Sequence, residues 1–489
     1  MRLPKRTFTF AIFSSTLVFT SCAIGPDYVR PAGPSREHYM AQPAVDARHA
    51  TISAPEMAGW WQGFEDDELT RLIGKALDEN LDLAQAVARV SVARASLQSA
   101  TAALLPAGQI SGDAARARLS VETPVGELLN ASPGFSRNGD LFDADVGASW
   151  EIDLFGGLRR SRESARALYQ AARGDVAAAQ LAVVAQTADV YVTIRGLQAR
   201  IDIATEQIRK EEQLVRTIEL QYSKGVAADL QLQQSRGALA QVEATLPVLN
   251  LGLDAAFNAL DVLLGAEPGT YRAELAIAAP IPNAPAIANA GGPADLIRRR
   301  PDLVVADRKL KASNARIGAA LAEYYPKFSL SGLLGTATTS SGEVFSGGAN
   351  QWQGVLGLRW RLFDFGRVNA EVAAARGRNA EALAAYRLSV LHATEDVENS
   401  FSALVNREAQ ERALAGGEES LARARDASLA AYQGGVVSLI EVLDADNRLL
   451  AARDVRAQAK TEADRAAIAS FRALGGGWNS DDRQMMSAR

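Results

Sequence analysis

Few residues in this chain of 489 could carry covalent chemistry, and their spacing argues for charge rather than catalysis. Cys22 is the only cysteine, so it makes no internal disulfide. His38, His49 and His392 lack metal-ligand spacing, and five methionines are too few for a thioether path for copper. The acidic run Glu65-Asp66-Asp67-Glu68 fits the cap of a following helix, where carboxylates favour the helix dipole, better than a metal site. Arg298-Arg299-Arg300 stands before Pro301 and reads as a helix start rather than an anion site. No GxxxxGK[ST], HExxH or GxSxG stretch occurs. Glu441 and Asp444 are three residues apart and share one face of a helix. The residues predict no enzymatic site, no metal and no cofactor in the ordinary sense.

The elements around these residues point to an envelope protein. Net charge is -5, from 52 basic and 57 acidic side chains, which leaves no polycationic face for nucleic acid. Hydrophobic residues make up 48 %, yet beyond the N-terminus no run approaches ~18 consecutive apolar residues, which excludes a multi-span helical membrane protein. Arg2, Lys5 and Arg6, then apolar Phe8 to Phe19, then small Thr20 and Ser21, read as a signal peptide over 1–21. Cys22 directly after it resembles a bacterial lipobox, although Phe19 stands where Leu is usual. That resemblance implies a diacylglycerol and an N-palmitoyl chain on Cys22. Ala23, rather than Asp, follows, as in lipoproteins not retained at the inner membrane.

The chain is internally duplicated. Trp150-Glu151-Ile152-Asp153-Leu154-Phe155-Gly156 matches Trp360 to Gly366 at an offset of 210, and the same offset relates Tyr222 and Gly225 to Tyr432 and Gly435, and Leu264-Gly265 to Leu474-Gly475. Earlier in each copy the offset is 220, as in Leu104-Leu105-Pro106 against Tyr324-Tyr325-Pro326. The predicted organisation is an extended segment over 22–65, repeat one over 66–265, a Pro/Ala-rich linker over 266–294, repeat two over 295–475 and a tail over 476–489. Each repeat reads as helix, two strands, long helix, turn and return helix, with the strands inside about 107–154 and about 327–364.

In the strands, apolar Ala144, Val146, Ala148, Trp150 and Ile152 alternate with polar Asp143, Asp145, Ser149, Glu151 and Asp153. The second copy repeats the pattern, with Trp352 and Trp360 near strand ends as in an interfacial girdle. The strand from Gly108 to Arg118 alternates less well. The tips Pro124 to Asn138 and Ser340 to Asn350 read as exposed loops. Leu158 to Tyr222 contains no proline and carries apolar residues at helical spacing; Arg367 to Ala431 matches it. At 1.5 Å per residue each rod would reach about 100 Å. Gly225 and Gly435 allow reversals into return helices Asp229–Leu264 and Leu439–Leu474. Four membrane strands cannot close a barrel, so the chain must oligomerise; two copies would give eight strands and three would give twelve.

These residues together are similar to the TolC-like outer-membrane factors of tripartite efflux systems, within the lipoprotein NodT/OprM-type branch. The resemblance is carried by Cys22 to Pro31, Trp60-Trp61, Asn80 to Leu83, Trp150 to Arg160, Arg299 to Asp302 and Trp360 to Gly366. It implies a mainly helical fold with membrane strands: a homotrimer whose 12-stranded β-barrel continues into a 12-helix periplasmic α-barrel. It implies a passive exit duct for small toxic compounds, anchored by lipid in the outer membrane. The implied partners are a periplasmic adaptor protein and an inner-membrane transporter of the proton-driven RND class. It further implies that Ser438 to Ala445 lines a constriction, with six carboxylates from Glu441 and Asp444 around one axis, and that Tyr432 contributes gate contacts. An Arg–Asp lock found in some relatives is missing, because its sites are Val437 and Gln231. The competing readings are a coiled-coil stalk on a structural or adhesive envelope protein, and a type I secretion duct.

Overall fold

The computed structural model describes residues 23–32, 38–47, 57–287 and 292–478. Cys22 and His49 lie outside them. Two compact units are present, and they cut across the two sequence repeats. One gathers Met1–Tyr28, Ser96–Ala165 and Ala312–Asn379; the other gathers Val29–Ala95, Arg166–Lys311 and Ala380–Arg489. Each repeat therefore contributes to both.

The first unit is built on one antiparallel sheet of β1 (Ala107–Arg118), β2 (Asn138–Ile152), β3 (Lys327–Thr338) and β4 (Asn350–Arg359), in that order. Its registers obey the duplication. Ala107 faces Ser149 between β1 and β2, and the residues 220 and 210 further on, Lys327 and Arg359, face each other between β3 and β4. Cross-strand rows sort the side chains by polarity. Ile110, Val146, Leu334 and Trp352 form one row across all four strands, and each is exposed. On the opposite face Gln351 Nε2 donates to Asp145 Oδ1 at 2.8 Å. Gly335 lies between those two strands, where any side chain would collide with the Asp145 carboxylate. The sheet thus has a polar face carrying a cross-strand side-chain bond and an apolar face that is exposed among the described residues. The weakly alternating β1 is a full strand. The first tip, expected to be an open loop, contains a helix over Pro124–Asn130, because Thr123 Oγ1 accepts from Gly126 N and a proline occupies the first turn. The second tip holds two short 3-10 turns.

Below the strands the two repeats use the same fastenings. Trp150 Nε1 donates to Leu104 O, and Trp360 Nε1 donates to Tyr324 O, both at 3.0 Å. The indoles therefore tie strand ends to the preceding helices α2 (Leu81–Ala102) and α6 (Pro301–Ala322), in addition to presenting an aromatic surface. Asp153 accepts from Leu158 N and Arg159 N and so caps α3 (Gly157–Ser223). Asp364 does the same for α7 (Arg367–Gln433), accepting from Gly366 N and Val368 N, although it sits one residue later in the matched motif.

Helices α3 and α7 each run for 67 residues. Return helix α8 (Leu439–Ala473) is unbroken. Its counterpart divides at Ala244 into α4 (Asp229–Glu243) and α5 (Thr245–Leu263). Pro247 accounts for the break, since it has no N–H to offer the Glu243 carbonyl. Two stretches, within Gly157–Ser223 and Asp229–Leu263, hold an 18-residue window of mean hydropathy 1.3. In α3 the apolar residues include the buried side chains Val183, Val184, Ala188, Val192 and Ile194, so that stretch is a packed core segment.

That core lies in the second unit. Trp60 stacks on Phe471 with centroids 5.1 Å apart and planes 5° apart, and Phe64 and Trp61 pack edge-on to Trp60. Such pairs add about 0.5–1.5 kcal/mol beyond area burial. The acidic run caps α1 (Asp67–Glu79), as its sequence predicts. Asp66 Oδ1 accepts from Leu69 N at 2.9 Å, and its other oxygen accepts from the Tyr191 hydroxyl at 2.8 Å. Arg300 is likewise structural. Its guanidinium bridges Asp302 and Asp396 and reaches the carbonyl of Ala473. The linker is fastened to α5, where Asp261 accepts from Gly269 N and Tyr271 N, while Ile281 and Ile287 are buried.

Candidate functional site

The reversals after α3 and α7 are built alike. Val226 N donates to Gln221 O and Val436 N donates to Ala431 O, both at 2.9 Å, closing the six-to-one ring of a Schellman end. Gly225 and Gly435 supply the left-handed residue at φ 71° and 72°, which L side chains rarely adopt. The same closure recurs at the other ends of the return helices, from Ala266 N to Asp261 O and from Gly476 N to Phe471 O.

The residues predicted to form a gate lie just past the second reversal. Glu441 and Asp444 are both exposed on α8, while Val442 and Leu443 between them are buried. The shared face expected from their spacing therefore exists, and it points away from the packing core. Asp444 Oδ2 pairs with Arg448 Nη2 at 2.9 Å. Both side chains are more than half exposed, so this i,i+4 pair contributes little to stability. Tyr432 is partly exposed, and its carbonyl accepts from Gly435 N. At the first reversal the position matching Glu441 is Gln231, whose Oε1 accepts from Ala228 N and caps α4. The first reversal thus presents a neutral amide where the second presents a carboxylate.

Behind this face sits a polar cluster that sequence inspection did not single out. Asp446 is buried and receives Arg425 Nε at 2.8 Å and Lys210 Nζ at 3.1 Å, so one carboxylate joins α7, α3 and α8. One residue along, Asn447 Nδ2 donates to Glu211 Oε1 at 2.8 Å. Farther up α8, Asp454 pairs with Arg200, and Arg465 with Asp189, both two-pronged. These residues are charged and regularly spaced, so in sequence they look like a solvated face. Only the side-by-side packing of α3 and α8 brings them together. Among the described residues no group of three or more His, Cys, Asp or Glu could hold a metal ion.

Comparison with known proteins bears on the whole chain. The model of the outer membrane efflux protein family matches residues 72–266 and 292–476. The pyoverdine export outer membrane protein OpmQ of Pseudomonas putida is 33 % identical over 427 residues, covering 86 % of this chain and 88 % of that protein. The outer membrane protein OprJ of Pseudomonas aeruginosa is 29 % identical over 487 residues, covering 98 % and 97 %. Among solved structures, the outer-membrane channel OprN superposes with a TM-score of 0.80 at 31 % identity, over 94 % of this chain and all of that one. The apolar sheet face, the duplicated reversals and these relatives agree, and the chain belongs to the outer membrane efflux protein family.

Proposed function

We infer that three copies of this chain assemble into the exit duct of a tripartite efflux system. The duct takes small toxic compounds from a periplasmic adaptor and an inner-membrane RND-type transporter, and Cys22 carries the lipid anchor. The channel performs no chemistry and spends no fuel. The observation that carries this reading is the sheet with two open edges. In lipid each unpaired backbone group costs several kcal/mol, so β1 and β4 require partners.

The duplication supports a particular pairing between copies. The contact of β2 with β3 is the contact of repeat one with repeat two, and Trp150 faces Leu330 there. Moving the first residue forward by 210 and the second back by 220 sets Trp360 of one copy near Ile110 of the next, and Leu356 opposite Ala114. The same transfer applies to Phe155, which stacks on Tyr325 at 4.7 Å within the chain. It brings Phe365 onto Leu105 of the neighbour. Phe365 is fully exposed in the single chain and holds a left-handed φ of 52°, a conformation that costs on the order of 1–2 kcal/mol. A ring held out at that cost fits a residue awaiting a neighbour.

At the other end, trimer formation sets three copies each of Glu441, Asp444 and Tyr432 around the axis. Six carboxylates there favour cations over anions and oppose close approach. Purified protein in a planar bilayer is expected to conduct with cation preference, and the double substitution Glu441→Ala with Asp444→Ala is expected to reduce that preference. No current under any condition sinks the channel reading; unchanged selectivity in the double variant moves the constriction elsewhere.

A further inference from the structure

Two buried polar atoms beside the gate helix have no hydrogen-bond partner: Glu211 Oε2 on α3 and Asn447 Oδ1 on α8. They belong to residues already joined at their other ends, where Asn447 Nδ2 donates to Glu211 Oε1 at 2.8 Å. A carboxylate cannot complete that contact, because its second oxygen and the amide oxygen are both acceptors. A carboxylic acid can. Its O–H would donate to Asn447 Oδ1 while the amide N–H donates to the other carboxyl oxygen, closing a two-bond ring that satisfies both atoms at once.

We propose that Glu211 is held as the neutral acid in a cyclic pair with Asn447, and that this pair is a proton-operated latch between α3 and the helix that carries Glu441 and Asp444. The latch deepens the gate reading above and rests on it only for its effect on current.

The surroundings favour the neutral form. Glu211 is 7 % exposed. Burial, and after it the Asp444 carboxylate, push its carboxyl above the ordinary range. The remaining charged groups nearby are engaged with one another. Lys210 on α3 and Arg425 on α7 are both on Asp446, and Arg448 on α8 is on Asp444. On α3, Glu206 is taken by Arg209. Among the described residues, the cations named here are all engaged with other carboxylates rather than with Glu211. The sign follows. An acid whose value is raised in the folded state stabilises its contact at low pH, and the contribution is lost as pH rises through the raised value. Deprotonation then removes one hydrogen bond and leaves a buried negative charge facing Asp444.

Glu211→Gln tests this on the full chain, because glutamine keeps both hydrogen bonds and cannot ionise. Infrared difference spectra between about pH 5 and about pH 8, taken in an Asp464→Asn background so that the other raised carboxyl does not contribute, should show a protonated-carboxyl carbonyl band that disappears at the higher pH and that Glu211→Gln removes. Over the same window, open-channel current should rise about tenfold in the unaltered protein, equivalent to about 1.4 kcal/mol at the latch, and stay flat and low in Glu211→Gln. The proposal is overturned if no such band is removed by the substitution, or if both proteins follow one current–pH profile. If neither protein conducts at all, the channel reading fails, and the infrared band alone decides whether Glu211 holds its proton.

Discussion

The contact inferred between Phe365 of one copy and Leu105 of the next can be tested with a covalent bond and weighed with a truncation. In the single chain Phe365 is fully exposed, whereas its counterpart Phe155 stacks on Tyr325. Phe365→Ala should therefore leave the fold of one chain unchanged and act on assembly alone. Burying a phenylalanine side chain is worth about 1.5–3 kcal/mol, and the lost contact recurs at each of the three interfaces of a trimer. Thermal dissociation of the trimer in mild detergent, followed on gels, should shift clearly downward while far-ultraviolet circular dichroism of the chain keeps its helical signal. For the covalent test, Leu105→Cys with Phe365→Cys should give dimer and trimer bands on a denaturing gel after oxidation. Phe155→Cys with Tyr325→Cys, the equivalent pair inside one chain, should give a monomer of altered mobility and no ladder. Identical behaviour of the two pairs, or a trimer indifferent to Phe365→Ala, would refute the transfer of the internal contact onto the interface.

Other outcomes are expected from the helical region and the N-terminus. Asp446→Ala removes the carboxylate shared by Arg425 and Lys210, although Arg425 keeps Asp426; because both cations are part-exposed the loss is about 1.5–3 kcal/mol, and the unfolding midpoint should fall; an unchanged midpoint would mean that the cluster is solvated. Asp464 is buried on α8, accepts from Ala284 N, and is pushed up to about 7, first by burial. Because the unfolded group titrates near 4, stability should decline as pH rises from about 4 through about 7. Asp464→Asn should flatten that decline and raise stability at pH 8, and a variant as pH-sensitive as the parent argues against it. Cys22→Ser should abolish palmitate labelling, whereas persistent labelling places the lipid elsewhere.

Much of the architecture was legible because it is periodic and repeated. The alternation in β2 and β4, the absence of proline from α3, and the glycines at 225 and 435 each state a local rule, and the duplication states each rule twice. Legibility failed where a contact depends on two distant elements. Nothing in the sequence around Lys210 or Asp446 says that they meet, since their separation is set by the packing of α3 on α8. The division at Ala244 could have been read from Pro247, because a proline removes the hydrogen bond four residues back. The helix in the first tip had a signal as well: Thr123 ahead of Pro124 is a cap followed by a favoured first-turn proline. At the proposed gate, the shared face of Glu441 and Asp444 and the i,i+4 pairing of Asp444 with Arg448 both follow from spacing.

The seats of Gly265 and Gly475 are exact counterparts. Each glycine takes a left-handed conformation, and a side chain on it would strike a backbone carbonyl, that of Glu79 in one repeat and of Arg299 in the other. With matched seats, matched reversals and matched strand registers, a trimer of this chain is close to a ring of six like parts. What distinguishes alternate parts is then the break at Ala244, the helix in the first tip and individual side chains, and Gln231 against Glu441 is one such difference, next to the reversals. Under the proposed gate, the carboxylates of Glu441 and Asp444 stand on every second part, opposite Gln231 and Gln234 on the others. The aperture would therefore change as a triangle inside a hexagon, three walls shifting against three that stay.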